Sequence, residues 1–71
     1  MTHPATAAIL RYFAFDHLSS GLQEVARPFA TLAAFMAASL PSGPEVTTGL
    51  RKLLEAKDCA VRAALDLPEV Q

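Results

Sequence analysis

The chain has 71 residues, 52% of them hydrophobic, and its six basic and seven acidic residues give a formal net charge of −1. This composition is typical of one compact domain, residues 1–71, and excludes a disordered chain. It lacks the concentrated basic surface that duplex DNA or long RNA requires. The single cysteine, Cys59, excludes a disulfide within the chain and is typical of a reducing compartment.

The N-terminal sequence and the most apolar stretch argue against secretion and membrane insertion. Residues 1–6 have neither the basic start nor the long apolar run of a signal peptide. The apolar stretch, residues 28–40, is shorter than the ~20 residues that span a bilayer. We therefore expect a cytosolic protein with no membrane partner.

The first predicted element is a short helix from Thr6 to Asp16, dense in apolar and aromatic residues. Residues 17–21 break it. Ser20 with Gln23 three positions later has the form of a capping box, which predicts that a second helix begins there.

The second predicted helix is apolar on two sides. Pro28 lies early in it and removes a backbone donor, so we expect a kink or a restart of the helix there. Large residues recur at spacings of three and four, which predicts a stripe facing a partner helix: Leu22, Val25, Phe29, Leu32, Met36 and Leu40. The opposite side carries small residues around one large ring: Ala30, Thr31, Ala34, Phe35 and Ala38.

This second side predicts assembly. No charged residue occurs from Pro28 through Pro44. A helix that is apolar nearly all round must be buried on most sides. A chain of this size covers only about 60% of its unfolded surface, so one small hairpin cannot bury the helix. We expect an obligate oligomer.

The third predicted helix runs from about Glu45 to Leu65 and ends before Pro68. The turn at residues 41–44 precedes it, and Ser42 followed by Glu45 resembles a second capping box. Its apolar stripe consists of Val46, Leu50, Leu53, Leu54, Val61 and Ala64. Its polar side alternates in sign, which is most simply a solvated surface with weak ion pairs: Arg51, Glu55, Asp58 and Arg62. The fold class is therefore all-α, a short N-terminal helix followed by an antiparallel hairpin of two helices.

Lys57 interrupts the apolar stripe of the third helix. At 100° per residue it falls near the middle of that stripe. An unpaired buried ammonium costs several kcal/mol, so Lys57 needs compensation or access to solvent. Three interpretations stay open: the side chain extends along the seam to water, it pairs with Asp16 or Glu24, or it binds a ligand phosphate.

The sequence contains no recognisable catalytic or metal-binding motif. His3, His17 and Cys59 are isolated, without the close pairs of zinc sites. No third group accompanies the adjacent Asp16 and His17 as a triad requires, and the three glycines are too far apart for a phosphate-binding loop. We expect no metal, no cofactor and no enzymatic turnover.

The remaining candidate residues are aromatic and cationic. Arg11, Tyr12 and Phe13 lie together in the first segment, and Arg27 precedes Pro28. A tyrosine ring can stack on a base, and an arginine can bind phosphate. An aromatic at helical spacing is more often a core residue, but a two-fold dimer would place two copies of Tyr12 and Arg27 around one axis.

The chain resembles the small phage anti-CBASS sponges of cyclic oligonucleotides, which share a helical hairpin with the anti-Thoeris sponges. The resemblance covers roughly residues 9–66. Three segments carry it: Tyr12 to Leu18 (YFAFDHL), Leu22 to Phe29 (LQEVARPF) and Leu50 to Leu65 (LRKLLEAKDCAVRAAL), of which the last is the most specific.

The resemblance implies a homohexamer, a trimer of dimers, that acts in the host cell cytoplasm. It implies sequestration of cyclic dinucleotides such as cyclic GMP-AMP, without cleavage, in pockets between protomers. In that family a tyrosine of the first helix and a basic residue before the proline of the second line the pocket, which here are Tyr12 and Arg27. Where relatives carry lysine, arginine keeps the charge but changes the donor geometry, which leaves base preference open.

The resemblance also implies a second site, for cyclic trinucleotides, in some members. Our candidates for it are Arg51, Lys57 and Arg62. The competing interpretation is a structural or regulatory oligomerisation module without a small ligand, in which Tyr12 and Phe35 anchor the interface.

Overall fold

A computed structural model describes residues 4–65 of the chain, which fold as an N-terminal helix packed on a helical hairpin. Helix α1 spans Pro4–Leu10 and continues into a 3₁₀ turn at Arg11–Phe13. Helix α2 spans Ser20–Ser39, and α3 spans Pro44–Leu65. Within residues 4–65 there is no strand. The predicted all-α fold, a short helix followed by a two-helix hairpin, is confirmed.

The first helical segment ends earlier than predicted. Helical structure stops at Phe13 rather than Asp16, because Ala14 adopts an extended conformation with φ −60° and ψ 140°. The amide of Ala14 donates to the Arg11 carbonyl at 3.3 Å, which closes the 3₁₀ turn. Phe15 and Asp16 therefore belong to the connection to α2.

The capping box predicted at Ser20 and Gln23 is wrong. The N-cap is Ser19, whose side chain makes no capping hydrogen bond, and Ser20 is the first helical residue. The Gln23 amide instead donates to the Leu18 carbonyl at 2.8 Å. Gln23 thus still fastens the start of α2 to the preceding connection, through a different partner.

Helix α2 runs through Pro28 without interruption. The predicted restart of the helix is therefore wrong. A proline inside a helix removes one backbone hydrogen bond and crowds the carbonyl four residues earlier. Packing of α2 on the rest of the chain offsets that cost, because tertiary contacts routinely override local propensity.

The start of α3 is set by proline rather than by serine. The helix begins at Pro44, one residue before the predicted Glu45, and the Thr47 amide donates to the Gly43 carbonyl at 3.1 Å. That bond makes Gly43 the N-cap, so the capping box predicted at Ser42 is wrong. Pro44 occupies the first helical position, where its missing N–H costs nothing. Helix α3 is described as far as Leu65, and the predicted end of the helix before Pro68 lies at the limit of the described residues.

The hydrophobic core joins all three helices. Its buried residues are Ile9 of α1, Phe13 of the 3₁₀ turn, Ala33 of α2 and Leu50 of α3. Half-buried residues pack around them: Leu10, Phe29, Ala30, Met36, Leu53 and Leu54. The hydroxyl of Thr6 is buried beside this core without a hydrogen-bond partner.

The most deeply buried residues of α2 are small. Ala26 and Ala33 are 1% and 0% exposed, whereas Leu32 and Leu40 are each 46% exposed. The predicted stripe is therefore wrong at Leu32 and Leu40, which lie outside, and Ala30 lies on the inner side rather than the outer one. Small side chains let two helix axes approach closely, and Gly49 of α3 completes that approach against Met36. None of the helices within this part of the chain is long and apolar enough to cross a membrane.

Candidate functional site

Tyr12 is an exposed aromatic ring on an anchored backbone. It lies in the 3₁₀ turn, and it is 63% exposed, while the next residue, Phe13, is 3% exposed. Phe13 and Ile9 place the turn on the core, so the preceding residue points away from it. A single chain therefore presents the Tyr12 ring as a surface platform.

Lys57 holds the backbone of that platform. Its ammonium donates to the Tyr12 carbonyl at 3.0 Å and lies 3.3 Å from a carboxylate oxygen of Asp58. The Lys57 side chain is 12% exposed and its ammonium lies beside the half-exposed Asp58, so the interpretation that the side chain extends along the seam to water stays open. The predicted pairing with Asp16 or Glu24 is wrong, because Asp58 is the partner of Lys57 and Glu24 pairs with Arg27.

Arg27 lies on the exposed side of α2 between an aromatic ring and a carboxylate. Its guanidinium carbon is 5.1 Å from the centre of the Phe15 ring. The same guanidinium donates to Glu24, one turn earlier, at 2.8 Å. The ring orients the guanidinium, and the carboxylate balances its charge. Both groups of the ion pair are well exposed, at 48% and 73% of their side-chain surface.

The hairpin register brings Tyr12 and Arg27 to the same end of the molecule. Met36 meets Gly49 across the hairpin. Arg27 is nine residues before Met36, and Asp58 is nine residues after Gly49. At 1.5 Å per residue, both lie about 13 Å from that contact toward the same end. Lys57, next to Asp58, reaches Tyr12 there. No hydrogen bond or ring contact within residues 4–65 joins Tyr12 directly to Arg27.

The three residues considered for a second site do not share one face of α3. Arg51 and Arg62 are exposed and eleven residues apart, so they share a face about 16 Å apart along the helix. Lys57 is six residues from Arg51 and lies about 120° around the helix. Arg62 also donates to the Cys59 sulfur at 3.6 Å. The structure brings Arg51 and Arg62 to one side and Lys57 to another, and the second site stays a prediction.

Two shallow surface depressions lie elsewhere. One is at the connection between the hairpin helices, lined by Ser42, Gly43, Pro44 and Thr47. The other is on α1, lined by Pro4, Ala7, Ala8 and Arg11. Neither is lined by Tyr12 or Arg27. The described residues include no group of three or more His, Cys, Asp or Glu side chains that could hold a metal ion, and His3 lies outside them.

A large uncharged surface lies on the outer side of α2. Phe35 is 60% exposed and Leu32 is 46% exposed, and between them and around them lie exposed small residues: Thr31, Ala34, Ala38 and Ser39. We call these six residues the outer α2 face. Phe35 was predicted on this side, and its exposure is confirmed. Water is a poor environment for a contiguous apolar surface, which marks such faces as contact sites.

Two interactions at the candidate site escaped sequence reasoning. The bond from Lys57 to Tyr12 spans 45 positions, and only the placement of Lys57 inside an apolar stripe signalled an unusual partner. No sequence pattern indicated the contact between Arg27 and Phe15, because the predicted first helix includes Phe15.

Comparison with known proteins adds no relative. No protein family, no curated protein and no solved structure matches this chain.

Proposed function

We propose that this protein is a cyclic-nucleotide sponge, which binds cyclic dinucleotides and holds them without cleavage so that host CBASS effectors are not activated. The binding unit is a homo-oligomer, a hexamer built as a trimer of dimers. Tyr12 and Arg27 line each pocket, and the pocket is completed by a neighbouring protomer. The proposed place of action is the host cell cytoplasm.

The exposed Tyr12 ring is the observation that carries the proposal. A large aromatic that is 63% exposed beside a 3% exposed Phe13 is costly surface unless something covers it. A base covers an aromatic ring well, because every nucleobase has a flat face, and such stacking is worth about 1–3 kcal/mol per base. Two-fold symmetry would supply two rings for the two bases of a cyclic dinucleotide.

The Arg27 guanidinium supplies the complementary charge. Its ion pair with Glu24 is solvent-exposed and therefore worth only ~0–1 kcal/mol. A phosphate can replace that carboxylate at little cost, while the Phe15 ring keeps the guanidinium in place. The ligand thus competes with a weak internal partner.

The outer α2 face supports assembly. Its largest members, Phe35 and Leu32, are exposed in the single chain, and no charge occurs on α2 beyond Arg27. A second copy of the same surface would cover them without burying an ion. The same observation favours a second candidate function, an oligomerisation module with no small ligand.

A thermal-shift assay separates these two functions. The purified protein is heated with a panel of cyclic dinucleotides, cyclic trinucleotides and their linear counterparts. A ligand at about 1,000 times its dissociation constant stabilises the folded state by about 4 kcal/mol. A sponge shows a raised melting temperature with a cyclic species that is later released intact. Stability that no nucleotide changes, in a folded oligomer, supports the module instead.

Tyr12→Ala tests the assignment of the site. Removing one stacking partner per base should weaken binding about 5- to 150-fold, which isothermal titration calorimetry measures. Native mass should stay that of the parent oligomer. Tyr12→Phe is the matched control, because it keeps the ring. Parent-like affinity in Tyr12→Ala contradicts the site, and loss of the oligomer supports the module.

A further inference from the structure

The end of the first helical segment is held by a lysine from the far end of the chain. Tyr12 lies in the last turn of this segment, where backbone carbonyls have no partner further along the helix. The amide of Ala14 satisfies the Arg11 carbonyl, and the Lys57 ammonium satisfies the Tyr12 carbonyl at 3.0 Å. A cation at a helix C-terminus also interacts favourably with the helix dipole.

The location of Lys57 makes this contact specific. The side chain is 12% exposed, with Asp58 as its counter-ion at 3.3 Å. A lysine that only solubilised the surface would extend into water, as the exposed Lys52 on the same helix does. The ammonium of Lys57 instead binds one backbone atom, the carbonyl of Tyr12, beside the Asp58 carboxylate.

Two adjacent anchors then fix the orientation of Tyr12. The Phe13 ring is 3% exposed in the core, and the carbonyl of Tyr12 is bound by Lys57. With the peptide between residues 12 and 13 held at both ends, the direction of the Tyr12 side chain is set by its own rotamer alone. Loss of the ammonium leaves the turn attached through core residues such as Phe13 and Ile9.

We propose that Lys57 is a positioning residue for Tyr12, which presents the exposed ring to a nucleobase by fixing the peptide that carries it. The part of this inference that concerns ligand rests on the proposed function. If the ring is oriented for binding in only a tenth of the molecules, the apparent affinity falls about tenfold. Lys57 therefore contributes to affinity from within the same protomer without contacting the ligand.

The experiment uses Tyr12 as its own reporter. It is the only tyrosine of a chain that has no tryptophan, so fluorescence anisotropy and near-ultraviolet circular dichroism of tyrosine report this residue alone. Both are recorded on the ligand-free protein for Lys57→Met, Lys57→Arg and the matched control Lys52→Met, which removes the same charge from an exposed position of α3. Calorimetric titration with the cyclic dinucleotide that binds the parent best gives the affinity.

Positioning gives one pattern of results. Lys57→Met lowers the tyrosine anisotropy and weakens binding about tenfold while far-ultraviolet dichroism keeps the helix content, Lys57→Arg restores both, and Lys52→Met resembles the parent. A parent-like tyrosine signal in Lys57→Met, or an equal loss in Lys52→Met, overturns the proposal. If Lys57→Met does not fold, Lys57→Leu takes its place, since it also lacks a donor for the Tyr12 carbonyl, and unchanged anisotropy there overturns the proposal equally.

The two proposals fail separately. A parent protein that binds no cyclic dinucleotide removes the sponge function. The anisotropy measurement still decides whether Lys57 orders Tyr12, because that measurement needs no ligand.

Discussion

The two sides of α2 differ in how far their large residues are covered. On the inner side Ala26 and Ala33 are buried and the half-buried Phe29 and Met36 pack on the core, whereas the outer side exposes Leu32 and the Phe35 ring. A helix that folded only for its own chain would bury the larger residues, since each large apolar side chain contributes about 1.5–3 kcal/mol when buried. The inner side therefore packs on the core, while two large apolar residues of the outer side stay exposed in the single chain, as the proposed contact between copies requires.

Phe35→Glu is expected to have the largest effect, because it changes the outer side of α2. In the proposed oligomer, a carboxylate on the outer α2 face would place an unpaired charge in an uncharged contact, which costs several kcal/mol. We expect that oligomer to dissociate completely, with the native mass falling to that of one chain by light scattering. Thr48→Glu is the matched control, because it adds one carboxylate at an exposed position of α3. An unchanged mass in Phe35→Glu contradicts the role of the outer face.

Ala33→Leu tests how closely the inner side of α2 is packed. Ala33 is 0% exposed, so the added atoms have no free space and must separate α2 from the core. We expect the free energy of unfolding to fall by roughly 1–3 kcal/mol, measured by urea denaturation. The same substitution at the exposed Ala56 of α3 should change it by less than about 0.5 kcal/mol. Equal effects at both positions would show that the inner side is not closely packed.

The smallest expected effect is a change in the free energy of unfolding on substitution of Gly49, which faces Met36 of α2. A methyl group here would lie 3.2 Å from the terminal carbon of Met36, a flexible side chain that can yield. Alanine gains about 1 kcal/mol of helix propensity over glycine. We expect Gly49→Ala to stabilise the fold by less than that amount, and Gly49→Val to destabilise it because a branched side chain cannot be accommodated by Met36 alone. Stabilisation by valine would mean that the helices are further apart than the structure has them.

The fold was predictable because its signals are local. The Pro41–Pro44 turn and the apolar periodicity of α3 predicted the start of that helix to within one residue. The side of α2 that faces the core was not predictable in the same way. Apolar residues occur all round this helix, so periodicity alone cannot show which side is buried. Ala33 rather than Leu32 is buried because it lies in the core cluster with Ile9, Phe13 and Leu50, a placement set by the other helices and not by α2 alone.

The candidate site was predictable only as separate residues. Tyr12 and Arg27 are candidate ligand-binding residues by residue type alone. The groups that contact them are either distant in the sequence or lie in a segment that is not helical as predicted. Lys57 is far from Tyr12 in the sequence, and Phe15 was placed in a helix that ends at Phe13. Of these contacts, only that of Lys57 was indicated by the sequence, because a charged residue at an apolar position requires a partner.

The span of the bond between Lys57 and Tyr12 has a consequence for the order of events during synthesis. Chains emerge from the ribosome N-terminus first, at about 5–20 residues per second. Tyr12 is made early, yet its carbonyl meets its partner only after 45 further residues have been added and α3 has folded back. A nascent or prematurely terminated chain that stops short of Lys57 therefore carries the Tyr12 ring without the ammonium that binds its carbonyl.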